Sequence, residues 1–121
     1  MAKRIGIRVR LDERTAKRVG SHLKKLRTQK PERCKEIILD WASFIEARAK
    51  EIVPKLTRNL MNSIIFELYK DGFAAEIGPW ADYGAYVEFG TRRMSARPYL
   101  RPSFDESVPI FLEKIRKELK Q

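Results

Sequence analysis

Between Pro31 and Pro54 the apolar residues Ile37, Ile38, Trp41, Ile45, Ala49 and Ile52 recur at steps of three and four, the longest helical stripe in the chain. That spacing predicts one long helix with a single buried face. Pro31 suits its first turn, where a missing N–H leaves no bond unmade, and Pro54 marks its end. The rest of the fold has to pack on that face. Cys34 opens the same face between Arg33 and Lys35. Basic neighbours lower a thiol pKa, but a core-facing thiol acting as a small hydrophobe is the expectation.

What can pack there is written in shorter patterns. Ile64–Lys70 and Phe73–Gly78 are β-branched and aromatic runs separated by Asp71-Gly72, a signal for a hairpin with a two-residue type I′ turn. Ile5, Ile7, Val9 and Leu11 alternate with Gly6, Arg8 and Arg10, as in a short strand with one buried face. Asp12 then stands where a helix N-cap would, ahead of Ala16, Val19, Leu23 and Leu26, with Gly20 in mid-helix weakening it by about 1 kcal/mol relative to Ala. Pro54 to Leu60 reads as a break and short turn capped by Thr57. At the other end Val108, Phe111, Leu112, Ile115 and Leu119 mark a C-terminal helix, for which a cap at Ser107, with Pro109 in the first turn, is preferred over a start at Ser103. The reading is a single α+β domain over residues 1–121: a small antiparallel sheet containing the hairpin, packed on the long helix, with N-terminal and C-terminal helices beside it.

Charge is unevenly distributed. The chain carries a formal +10, and residues 1–30 hold 11 Lys and Arg against two acids, so nine of the ten net charges lie there. Arg8, Arg10, Arg14, Lys17, Arg18, Lys24 and Lys25 form a candidate basic face for non-specific DNA or an acidic protein, or else a solvated helix surface. One cysteine and one histidine, Cys34 and His22, exclude a disulfide framework and a zinc site, and no cofactor is expected. His22 is expected at the surface. No run approaches a membrane span or a signal-peptide core, so no membrane partner is expected and the expected compartment at synthesis is intracellular.

Motifs of nucleophile, phosphate-cradling and metalloprotease chemistry are absent, and no small-molecule substrate is indicated. Glu88, between aromatic residues, could serve as a general acid, but pairing with Arg92, Arg93, Arg97 or Arg101 is the favoured reading. Arg101, between Leu100 and Pro102, could hold a carboxylate in bidentate fashion. Trp80, Tyr83, Tyr86, Phe89 and Tyr99 interleaved with arginines suit base stacking and a protein interface equally.

Four segments in combination carry a resemblance. They are Ala49-Lys50 leading to Val53-Pro54; Thr57-x-x-Leu60-x-x-Ser63-Ile64; Tyr83-x-x-Tyr86-Val87-Glu88-Phe89-Gly90-Thr91; and Ala96-Arg97-Pro98-Tyr99-Leu100-Arg101-Pro102. Together they resemble the gene-product-ten-like family of phage neck proteins, of the Hong Kong 97 type. Arg58 departs from the family's usual Thr-Gly-x-Leu. The resemblance implies a non-enzymatic structural protein of a tailed phage or prophage, acting in head-tail joining or tail completion. Its partners would be copies of itself and neighbouring connector or tail proteins, and its location the host cytoplasm and then the virion. It also implies a motif and interface set of Tyr83, Tyr86, Glu88, Phe89, Gly90, Thr91, Arg97, Pro98, Leu100, Arg101 and Pro102, with the Arg-Pro steps making a stiff elbow. A small basic nucleic-acid-binding protein is the alternative.

Overall fold

The computed structural model describes residues 7–14, 19–54, 58–81 and 83–120. The elements in order are β1 (Val9–Leu11), α1 (Gly20–Gln29), α2 (Pro31–Ile52), α3 (Arg58–Ser63), β2 (Ile64–Tyr69), β3 (Ala74–Pro79), α4 (Gly84–Phe89) and α5 (Leu100–Lys120). The sheet is antiparallel with β3 in the centre, β1 and β2 forming opposite edges. The α+β architecture read from the sequence is the one observed.

α2 is the central element because its apolar stripe is wide enough to be shared. It contacts α1, α5 and both hairpin strands, and Cys34, Ile37, Ile38, Trp41, Ala42, Ile45 and Ala49 are all buried. The Trp41 ring lies parallel to Phe111 of α5 at 5.5 Å and to Phe104 at 6.4 Å. Its indole N–H donates to Ser107 Oγ at 2.7 Å, and that hydroxyl donates to the Phe104 carbonyl at 2.6 Å. The tryptophan thereby buries its ring without leaving its polar atom unpaired.

The hairpin turn has the expected type I′ core. Asp71 and Gly72 both take positive φ (57° and 92°), and the Phe73 N–H donates to the Lys70 carbonyl. Lys70 also adopts φ 52°, so the ladder ends at Tyr69 opposite Ala74 and the connection spans four residues rather than two.

Several expectations are corrected. Asp12 does not cap α1: the helix begins at Gly20, and the buried Asp12 carboxylate accepts the Arg14 N–H at 2.9 Å and lies 3.8 Å from Lys70 Nζ. Gly20 is thus at the start of α1, not its middle. Ser107 does not begin the last helix, which starts at Leu100 and runs through Pro109. Pro109 and Asp105, whose carbonyl loses its amide partner, both lie on the exposed side, where water can meet that carbonyl. His22 is half-buried. Ile5 and Gly6 of the first strand, Ala16, Lys17 and Arg18 of the first helix, the cap Thr57, and Asp82 lie outside the described residues.

Candidate functional site

The segment from Tyr83 to Pro102 folds as an elbow, and its parts hold one another from the inside. It enters from β3 through Ser63, whose carbonyl accepts the Trp80 N–H at 3.0 Å and whose hydroxyl accepts the Ala81 N–H at 3.2 Å. α4 then begins at Gly84. A Cβ there would lie 2.4 Å from Pro79 Cγ and 2.9 Å from Tyr99 Oη, so only glycine lets α4 approach the end of β3. The Gly84 carbonyl accepts the hydroxyl of the buried Tyr99 at 2.9 Å. Burial, with the Glu88 charge nearby, raises the pKa of that phenol well above its usual value.

α4 ends at Gly90, with φ 79° and no room for a side chain against Ala96 and Met94. Thr91 closes the reversal: its N–H donates to the Met94 carbonyl at 2.8 Å, and its hydroxyl accepts the N–H groups of Arg93 and Met94. The chain returns along α4, where the Arg97 N–H donates to the Val87 carbonyl at 2.8 Å.

Glu88 joins the two arms. Its Oε1 accepts the N–H groups of Tyr99 and Leu100, each at 2.8 Å, and its Oε2 accepts the Arg101 N–H at 3.1 Å. The opening of an α-helix leaves four N–H groups without intrahelical partners. In α5 three of them go to Glu88, and the next residue, Pro102, has none to place. A buried carboxylate at the positive end of the helix dipole is also favourably placed. This corrects the expectation that Glu88 pairs with an arginine. Its charge is satisfied by backbone amides, which also occupy the group that acid-base chemistry would need. Arg101 does not clamp a carboxylate from within the fold either: its side chain is 80% exposed, 3.5 Å from Asp105 one turn on.

A capping residue 11 to 13 positions upstream cannot be found by a search for local caps. The available signal was Pro102, whose place in a first turn marks a helix beginning just before it.

The outer side of the elbow is different in character. Residues 91–98 are exposed throughout, as are Tyr86 and Phe89, the latter 70% accessible, with Met94 and Trp80 also exposed. Tyr83 and Pro102 are half-buried and Leu100 is buried. Between β1 and the meeting of α4 with α5 runs an open groove of about 500 Å³, with Val9, Phe89, Pro98, Leu100 and Phe104 on its walls and Arg10 and Arg101 beside it.

Of the expected basic face, Lys17 and Arg18 lie outside the described residues, and the described members differ in setting. Arg8 folds back so that Nη1 donates to the carbonyls of Pro79 and Ile7 at 2.7 and 3.1 Å. Arg10 pairs with Glu76 at 3.3 Å across the sheet. Arg14 is exposed beside the Asp12 turn, and Lys24 and Lys25 are exposed on α1. Cys34 is buried as expected, and burial pushes its thiol up to about 11.

Comparison of the chain with protein-family models, with curated proteins and with solved structures gives no match.

Proposed function

We propose that this chain is a non-enzymatic structural protein of a tailed phage or prophage, acting in head-tail joining or tail completion. The observation that carries the reading is how the elbow divides its residues. Those named by the resemblance on its inner side, Glu88, Gly90 and Leu100, serve to hold two helices at a fixed angle. Those on its outer side, Tyr86, Phe89, Arg97 and Arg101, are left to solvent. A rigid frame presenting exposed aromatic and arginine side chains supplies what a subunit interface needs. The partners in this reading are further copies of the chain and neighbouring connector or tail proteins, and the destination is the virion.

The test is deletion of the coding sequence from the phage or prophage that carries it, followed by electron microscopy of the lysate. Filled heads and finished tails lying apart are expected; joined, infectious particles would overturn the proposal. The alternative, a nucleic-acid-binding protein, draws on the same exposed aromatics beside Arg92, Arg93 and Arg97. It requires binding of the purified protein to DNA that weakens steeply with salt.

A further inference from the structure

The surface carries a second apolar depression, at the other edge of the sheet. It measures about 440 Å³ and lies where the first turns of α2 meet β2 and the hairpin turn. Leu39 and Leu68, 42% and 44% exposed, form its apolar walls. Around them stand the carboxylates of Glu32, Glu36 and Asp71, with two cations beside them: Lys35, which leans over the Phe73 ring, and the Arg33 guanidinium on Glu36. The side chains of Glu32 and Glu36 are 84% and 63% exposed; Glu36 pairs with Arg33 at 2.7 Å and Glu32 with Lys35 at 3.7 Å, both on the same helix.

The elbow presents the opposite chemistry. Phe89 projects beside the β1 groove, with Arg92, Arg93, Arg97 and Arg101 exposed on the same segment. Of these arginines only Arg101 has an acidic partner among the described residues. One face is an aromatic knob on a segment rich in arginine, and the other an aliphatic hollow where three carboxylates outnumber two cations. Because β1 and β2 flank β3 on opposite sides, the faces lie at opposite edges of one sheet.

We infer that these two faces bind each other between copies of the chain, Phe89 of one copy entering the Leu39–Leu68 hollow of the next while the elbow arginines meet Glu32, Glu36 and Asp71. Two different patches in contact make a heterologous, head-to-tail interface, which propagates and closes into a ring when the rotation per copy allows. A self-complementary dimer would set arginine against arginine and is disfavoured by charge. The inference deepens the assembly reading and rests on it for the presence of many copies.

The experiment is sedimentation velocity of the purified full chain across a concentration series at about 50 mM and about 500 mM salt, since exposed charge pairs are screened at the higher value. It includes three variants: Phe89→Asp, the double variant Arg93→Glu/Arg97→Glu, and the double variant Glu32→Lys/Glu36→Lys. Circular dichroism checks that each is folded. The wild type is expected to associate at low salt, and each variant alone to do so at least about tenfold more weakly. An equimolar mixture of the two double variants is expected to regain association, because each then offers the face that the other lacks. A wild type that stays monomeric, double variants that associate as well as the wild type, or a mixture that stays dissociated would each overturn the inference. The deletion phenotype separates the two claims. Unjoined heads and tails together with a monomeric protein would remove the interface and leave the assembly reading, whereas joined particles together with a rescued mixture would do the reverse.

Discussion

Glu88 shows how one side chain can decide the geometry of a whole segment. Its carboxylate accepts three backbone N–H groups at the start of α5 while its own backbone belongs to α4. Glu88→Ala would leave three amides in a buried setting without acceptors, and we expect a loss of about 2–4 kcal/mol in urea unfolding. Glu88→Gln keeps one acceptor oxygen but turns an amide toward a donor, and we expect roughly half that loss. Equal stability of wild type and Glu88→Ala would show that the cap does not hold the elbow. Cys34 gives a prediction in pH. Its thiol, ordinarily near 9.0, is held up to about 11 by burial, so the folded chain binds that proton more tightly than the unfolded one. Above about pH 9 the unfolded chain ionises first, so this contribution to stability is lost as pH rises towards 11 and then levels off. The urea midpoint should fall over that interval, and fall less in Cys34→Ala. At pH 8 the native thiol should also react with iodoacetamide at least about a hundredfold more slowly than a free thiol, the factor set by two pH units of suppressed thiolate.

Among the elements, α1 reverses an expectation drawn from propensity. In an ordinary helix interior, Gly to Ala gains about 1 kcal/mol. At Gly20 an added Cβ would sit 2.4 Å from the Glu13 carbonyl oxygen, a backbone atom that cannot swing aside. Gly20→Ala should therefore destabilise the protein by about 1–3 kcal/mol in thermal unfolding, and a stabilised variant would contradict that packing. α5 illustrates the same limit of local reading. The apolar stripe from Val108 onward was legible, but the helix begins eight residues before it, at Leu100. Ser103 and Ser107, which look like caps in sequence, instead face inward and donate to the carbonyls of Tyr99 and Phe104. α4 carries no stripe long enough to be recognised and exists through its anchorage to Pro79, Arg97 and Tyr99.

For the molecule as a whole, Trp41 is where the helical layer is locked. It stacks between Phe104 and Phe111 and places its N–H on Ser107, so the α2–α5 contact is filled in both its apolar and its polar parts. Trp41→Ala would open a large cavity and leave the serine hydroxyl without its donor, and we expect a loss of about 3–5 kcal/mol with a broadened calorimetric transition. A small change in transition temperature would mean that α5 is held mainly by the elbow.

The long helix, the hairpin with its Asp71-Gly72 turn, the buried thiol and the α+β class were all readable from residue order, because periodicity and turn chemistry are properties of neighbours in the chain. The partner of Glu88 and the inward turn of Arg8 were not. Each depends on which groups meet after folding, across separations such as the 71 residues between Arg8 and Pro79. A buried carboxylate takes whichever donors the packed elements bring to it, and composition lists the candidates without ranking them. The same holds for the surface: residue order grouped Phe89 and Tyr99 as interface aromatics alike, and only the fold separates them, Phe89 lying outside because α4 turns its other face, with Gly84, Val87 and Glu88, toward the protein while Tyr99 is buried.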